Sequence, residues 1–316
     1  MFAFYLKFII IFITQGFINK LVCAFMVSNI QKEKAERFLQ FHHDEEILVL
    51  LNSWDIASSK VIEACGFKAI ATTSMGIAAS KGYPDCEIIQ LPEILEIIRG
   101  IVNNVSVPVS VDFEAGYGKN TREVINSVRE LIATGIVGIN IEDSIQLSPV
   151  LINENEFCER ITAIRALSEE LGFHLVINAR TDSFYTSQGS HKEKLTESIR
   201  RGNKYREAGA DCIFVQPVSD RETISTLVKE INAPINILAN PANVSGMIPL
   251  FVNELQDLGV ARVSHGSGLM KATLALIKKV ADELSEKGTY NNLLEILSPR
   301  SNATSAYEMA IATRDT

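Results

Sequence analysis

Eight short runs of apolar and β-branched residues recur along the chain, at 47–54 (ILVLLNSW), 69–74 (AIATTS), 107–112 (VPVSVD), 138–143 (GINIED), 175–180 (LVINAR), 212–217 (CIFVQP), 235–240 (INILAN) and 261–267 (ARVSHGS). Most are almost continuously hydrophobic, as expected of parallel strands buried on both faces. Helical periodicity fills the intervals and predicts helices over Ile56–Cys65, Leu91–Val102, Thr121–Ala133, Glu156–Leu171, Lys192–Ala208, Asp220–Ile231, Met247–Leu258 and Leu269–Leu284. A proline near the start of the second suits its first turn, and Thr121 is placed to cap the third. Gly66, Gly135, Gly172, Gly209 and Gly259 each follow a helical run and precede a strand, the position where a left-handed residue ends a helix. Strand–helix alternation repeated eight times predicts an α/β fold, a (β/α)8 TIM barrel. A doubly wound open sheet is the alternative, but no GxGxxG follows the first strand. Helical stretches at Lys32–Phe41 and Ala306–Arg314 flank the barrel, as oligomer contacts or loose tails.

At 316 residues and 47% hydrophobic, the chain has apolar material for one large domain, which we place at 26–316 with a C-terminal helical tail. The net charge of −8 argues against a nucleic-acid partner. The short basic clusters Lys192–Lys194 and Arg200–Arg201 read as solvated helix faces. Five cysteines, an odd number without CxxC, suggest neither a disulfide framework nor zinc, and a cytoplasmic setting is expected. Residues 1–25 are strongly apolar. They read as a signal peptide, a membrane anchor, or an extension ahead of a start at Met26. Everything after Met26 has the pattern of a cytosolic enzyme, which favours the last.

A barrel of this kind carries its active site at the C-terminal ends of its strands. Those ends bear Asn52, Ser53, Trp54 and Asp55; Thr72, Thr73 and Ser74; Asp112 and Glu114; Glu142 and Asp143; Asn178, Arg180 and Asp182; then Gln216, Asn240, Ser264 and His265. Carboxylates converging on one rim repel one another unless a cation lies between them. Oxygen ligands suit a hard ion such as Mg²⁺, with Mn²⁺ the alternative. Arg180 is suited to gripping a carboxylate by a two-pronged pair.

Each of these residues also has a plainer reading. Asp55 and Asp182 have the position of helix caps. Arg180 can pair structurally with Asp143 or Glu142. His265 can serve as a core or capping histidine. Asp112 and Glu114, two apart, project to the same face if the strand continues. Gly116 and Gly118 after them suggest either close backbone approach or a tight loop. The SHGSG run at 264–268 is a weak phosphate-binding pattern. No predicted strand carries a lysine for Schiff-base chemistry.

The stretches ATTSMGIAASKGYPD (71–85), VPVSVDFEAGYG (107–118), GINIED (138–143) and VINARTD (176–182) resemble the phosphoenolpyruvate mutase/isocitrate lyase superfamily, including its carboxyphosphonoenolpyruvate phosphonomutase-like members, from about Phe41 to Glu283. The resemblance implies a barrel with a C-terminal helix exchanged between subunits of a homodimer or homotetramer. It also implies Mg²⁺ and a small 2-oxo acid or malate-type carboxylate that reacts through an enolate. By position, Asp112 is the principal metal ligand, and Glu114, Asp85 and Glu142 hold the metal's waters. Thr73 and Ser74 fall where the substrate carboxylate is bound, Arg180 contacts substrate, and Gln216 and Asn240 are polar substrate contacts. Glu114, Tyr117 and a metal-bound water are the proton-carrier candidates. Many members have D-x-D where this chain has Asp112-Phe113-Glu114. The lyase branch carries K-[KR]-C-G-H after the fourth strand, and the mutase branch a Lys and an Asn. This chain has SIQLSPVLIN (144–153), and Asn153 is no convincing substitute. Carbon–carbon cleavage is the first expectation, phosphonopyruvate-type chemistry the second, and an oxo-acid-binding barrel without turnover the third.

Overall fold

The computed structural model describes residues 27–144, 148, 150–186, 188–241, 249–297 and 303–311. The apolar segment 1–25, with Cys23, lies outside the described residues, as do parts of the loop after the fourth predicted strand.

The strands are β1 (Leu48–Leu50), β2 (Asn52–Ser53), β3 (Ile70–Thr72), β4 (Val109–Asp112), β5 (Gly138–Glu142), β6 (Val176–Thr181), β7 (Cys212–Val215), β8 (Ile235–Leu238) and β9 (Arg262–Ser264). All pairing is parallel, in the order β1-β9-β8-β7-β6-β5-β4-β3-β2. The run 47–54, expected as one strand, is two. β1 pairs with β9 and β2 with β3, so the chain changes partner at Leu51 and the barrel closes there. A closed parallel barrel has no free edge.

The helices are α1 (Asn29–Gln40), α2 (Ile56–Ala64), α3 (Ser74–Ser80), α4 (Leu91–Asn104), α5 (Thr121–Ile132), α6 (Glu154–Glu170), α7 (Ser183–Thr186), α8 (His191–Glu207), α9 (Arg221–Glu230), α10 (Val252–Asp257), α11 (Gly268–Lys287), α12 (Asn291–Ile296) and α13 (Ala303–Ile311). Asp55 caps α2 as expected, in a reciprocal capping box with Ser58. The cap of α5 is Asn120 rather than Thr121, whose place is the first turn. α10 starts at Val252, short of the expected Met247, and 242–248 lie outside the described residues. The expected glycine stops at 66, 135, 172, 209 and 259 all have left-handed backbone.

α1 packs against the N-terminal end of the barrel. Phe38 is fully buried, and a Cβ added to Gly138 at the start of β5 would stand 2.7 Å from its ring. Gln31 Nε2 ties the helix down by donating to the carbonyls of Ile132 (3.1 Å) and Ile136 (2.8 Å). Outward positions of the strands, such as Ile139, Ile141, Ile177, Ile213 and Val263, are fully buried beneath the helices. Inward positions are mostly polar: Ser110 and Asp112 on β4, Asn140 on β5, Arg180 on β6, Asn236 on β8, and Arg262 and Ser264 on β9 line one central cavity, together with Phe214 on β7 and Leu238 on β8. This barrel therefore has an apolar jacket and a polar bore.

Candidate active site

The cavity has a volume of about 190 Å³ and brings together Thr73, Ser74, Asp85, Asp112, Arg180 and Gln216 from five different strand ends and loops. Asp112 closes β4. Its Oδ2 accepts from the Ser74 backbone N–H (3.2 Å) and hydroxyl (2.9 Å), and its Oδ1 accepts from Asn140 Nδ2 (3.0 Å). Asn140 Oδ1 in turn accepts from Asn178 Nδ2 at 2.6 Å. Two inward amides on β5 and β6 thus fix the orientation of the carboxylate. The strand-end reading named Asn178 without giving it a role and passed over Asn140, although an Asn within GINIE is a polar residue in an apolar strand. Thr73 is buried, and its hydroxyl caps α3 through the Gly76 N–H (3.4 Å).

Arg180 stands on β6 with its Nε and Nη2 each 2.7 Å from the two carboxylate oxygens of Asp182. Its Nη1 makes an ion contact of 2.5 Å with Glu142. Burial works against the Arg180 charge, but Glu142 and Asp182 more than offset it and hold its pKa above the ordinary value. With the Gln216 amide turned to satisfy both groups, its oxygen accepts from Arg180 Nη1 at 3.0 Å. The expected pairing of Arg180 with Glu142 is present, whereas Asp143 bonds elsewhere. It accepts from Tyr205 Oη (2.6 Å), Arg201 Nη1 (3.1 Å) and the Asp182 N–H (3.0 Å).

Glu114 departs from the same-face expectation. β4 ends at Asp112, and Glu114 takes left-handed backbone (φ 49°), so strand alternation no longer aims its side chain. Its Oε1 accepts from Tyr117 Oη (2.7 Å) and its Oε2 from the Glu87 N–H (2.9 Å), while Glu87 Oε1 accepts from the Tyr117 N–H (2.8 Å). Among the described residues, the non-glycine positions with left-handed backbone are Cys86, Glu87, Glu114 and Tyr117, all in the two loops laced together here. Such conformations cost roughly 1–3 kcal/mol each, and they gather at functional sites. Gly118 shows why the loop needs glycine, because a Cβ there would lie 2.4 Å from the Val124 nitrogen. Tyr117 and Glu87 line a neighbouring cavity of about 680 Å³ with Lys119 and Arg160. Asn240 is buried beside Gly268, and its oxygen is 2.8 Å from where a Cβ on that glycine would be. Glu114, Tyr117, Glu142 and Asn240 do not themselves line the central cavity. The SHGSG run is spent on closure: His265 Nδ1 meets the Leu50 carbonyl (3.1 Å), and Asn52 Oδ1 accepts from the His265 and Gly266 N–H groups (2.9 and 2.8 Å).

The carboxylates stand in one another's field. Burial pushes the Glu114 pKa up to about 8, with Asp112, Asp85 and Glu87 adding to the rise and the Tyr117 hydrogen bond opposing it. Burial, then Asp112, raises Asp85. Burial also raises Glu87 and, against the pull of Arg180, Glu142. Among the described residues, no three His, Cys, Asp or Glu side chains form a ready-made metal cage. The donor set nevertheless fits a hard cation held by one direct carboxylate and surrounding water, the usual habit of Mg²⁺. Asp85 Oδ1 is buried without a hydrogen-bond partner, and a cation near Asp112 would relieve its repulsion.

The family model for phosphoenolpyruvate phosphomutase matches residues 38–285, close to the expected extent of the resemblance, about Phe41 to Glu283. An uncharacterized protein of Mycobacterium tuberculosis is 33% identical over 249 residues, covering 79% of this chain and 89% of that one. The 2-methylisocitrate lyase of Halalkalibacterium halodurans is 28% identical over 279 residues, 85% and 88% of the two chains. The crystal structure of 2,3-dimethylmalate lyase, a member of the PEP mutase/isocitrate lyase superfamily, superposes with a TM-score of 0.74 at 23% identity over 88% of this chain and 94% of that one. That likeness shows the fold.

Proposed function

The chain belongs to the phosphoenolpyruvate phosphomutase family, and from that premise we propose that it is a Mg²⁺-dependent carbon–carbon lyase acting on a small 2-oxo acid or malate-type carboxylate through an enolate. The observation that carries the reading is the meeting of Asp112, oriented by Ser74 and Asn140, with Arg180 on one small polar cavity. Mg²⁺, or Mn²⁺ in its place, held by Asp112 with Asp85, Glu114 and Glu142 around its waters, would supply positive charge where the oxo acid's oxygens gain electron density. Arg180 is clamped by Asp182 and Glu142 and so presents a fixed positive charge rather than a free fork. A charge that does not reorganise is the efficient way to stabilise an enolate. Gln216 and Ser74 supply polar contacts at the wall, and Asn240 supports that wall from behind. Buried Glu114 and half-buried Tyr117, joined by a 2.7 Å hydrogen bond, would hold a proton beside the site. The name lyase borne by the Halalkalibacterium relative supports carbon–carbon rather than carbon–phosphorus cleavage.

The working unit is a homodimer or homotetramer. In its support, Leu274, Ile277 and Leu284 on α11 and Leu294 on α12 are exposed in the single chain. α13 packs against α2 of its own chain, which leaves α11 as the helix available for exchange.

The test is thermal stabilisation of the full chain by Mg²⁺ and oxalate, an analogue of the pyruvate enolate, together and separately. Stabilisation that requires both supports the reading, because a ligand confined to the native state raises its stability. Release of pyruvate or a relative from candidate oxo acids then identifies the substrate. Absence of a joint effect would withdraw the reading in favour of a barrel without this metal–oxo acid site.

A further inference from the structure

We propose that Arg262, at the inner end of the central cavity, binds a carboxylate, and that the substrate therefore carries a second carboxylate reaching down the bore of the barrel. This rests on the lyase reading and narrows its substrate class to dicarboxylates.

Arg262 opens β9, points inward, and is only 2% exposed, yet it lines the same cavity as Asp112, Ser74 and Arg180. Its surroundings differ from those of the other arginines buried near the barrel. Arg180, Arg165 and Arg201 each meet an aspartate. Among the described residues, Arg262 has no carboxylate within ion-pair distance. Its Nη1 lies 3.5 Å from His42 Nε2, and its guanidinium carbon lies 5.9 Å from the Phe38 ring centre. His42 Nδ1 faces the Phe38 carbonyl at 2.9 Å, so the proton belongs on Nδ1 and Nε2 is left to accept from the arginine. That accounts for one edge of the guanidinium. Nε is buried without a hydrogen-bond partner, and among the described residues the guanidinium's side-chain hydrogen bond is the one from Nη1 to His42. Nε and Nη2 form the parallel pair of donors that fits a carboxylate.

A buried charge without a partner is expensive, and proteins pair such groups or neutralise them. Burial draws the Arg262 pKa down to about 10, with Cys212 and Asp112 opposing the drop. The group therefore remains charged at neutral pH. The wall around it suits an anion. The hydrogen-bond contacts between Asn236 and Ser264 are long (3.3 and 3.4 Å), and Ser110 Oγ, buried on the same lining, has no partner. If Asp112 is committed to a cation, its distant field no longer compensates Arg262. A second substrate carboxylate would then restore the balance of charge within the bore.

Binding to the full chain in saturating Mg²⁺ separates the possibilities, with oxalate as the short ligand and malate as the longer dicarboxylate. Arg262→Gln and Arg262→Lys should weaken malate by about tenfold to a hundredfold, the range for a hydrogen-bonded charge, and leave oxalate within about twofold. Retained oxalate binding also shows that the variants are folded. Unchanged malate affinity, or equal loss of both ligands, overturns the proposal. Malate binding that depends on Arg262 without any Mg²⁺–oxalate response would remove the enolate reading and keep the subsite. If the wild type does not bind malate, the proposal falls. Should both variants fail to fold, a crystal of the wild type with Mg²⁺ and malate decides. A malate carboxylate on the Nε–Nη2 edge supports the subsite, and water or a resident inorganic anion there overturns it.

Discussion

Arg180 and Asp182, two residues apart across the end of β6, face each other fork to fork, with both nitrogen–oxygen distances at 2.7 Å. The Asp182 side chain is held in turn by the Ser144 hydroxyl, and its backbone N–H donates to Asp143. The aspartate therefore sets where the arginine's charge lies. Asp182→Asn keeps the shape and removes the charge. Its expected effect is a loss of about 10- to 100-fold in kcat/KM on whichever oxo acid is turned over, as for a displaced catalytic group. Steady-state kinetics with a melting-curve control measures it, and an unchanged kcat/KM would show that Arg180 needs no clamp.

Asp112 is the residue on which the metal reading turns. Asp112→Ala should abolish the joint stabilisation by Mg²⁺ and oxalate while the variant still melts cooperatively. Full retention of that stabilisation would remove Asp112 from the site.

Asn140 couples Asp112 to Asn178. Asn140→Ala should leave Asp112 misoriented and weaken Mg²⁺ by about 10- to 100-fold, the usual effect of losing a group that orients a ligand. Titration of Mg²⁺ at fixed oxalate reads this directly. An unaltered Mg²⁺ midpoint would mean that Ser74 alone suffices.

Phe38 is completely buried between α1 and the foot of the barrel. Phe38→Ala should destabilise the protein by about 3–5 kcal/mol, as for other fully buried aromatics. Denaturant unfolding measures this, and a loss below about 1 kcal/mol would show that α1 contributes little to the closure of the barrel.

His42 predicts a pH dependence. Burial first, and the Arg262 charge second, lower its pKa from 6.5 to about 3. Between those values the unfolded chain takes up a proton that the native state refuses. Stability from this group is thus intact above about pH 6.5 and falls as the pH drops toward 3, by about 1.4 kcal/mol per pH unit where the difference is a full proton. His42→Gln should flatten the stability curve by one proton over that window. An unchanged slope would show that His42 titrates normally in the native state.

Much of this molecule was legible in the order of its residues. Short apolar, β-branched runs separated by helical periodicity revealed the class of fold, because the outward side of each strand is buried beneath helices even where its inward side is polar. Glycines 66, 135, 172, 209 and 259 marked the helix ends, since a left-handed residue there is a local backbone requirement. The rule that barrel sites lie at strand C-termini put Asp112, Arg180 and Gln216 on one rim, and all three line the central cavity. What depends on register between distant strands could not be read from the chain. The choice of Asp182 as the principal partner of Arg180, the relay from Asn178 through Asn140 to Asp112, and the turn of Glu114 toward Tyr117 follow from how β4, β5 and β6 align and where each strand stops. Arg262 shows the difference most plainly. Its sequence neighbours mark a strand, but only closure of the barrel puts its charge inside the bore, because burial and pairing are set by residues from β4, β8 and α1 that meet it only in the folded state.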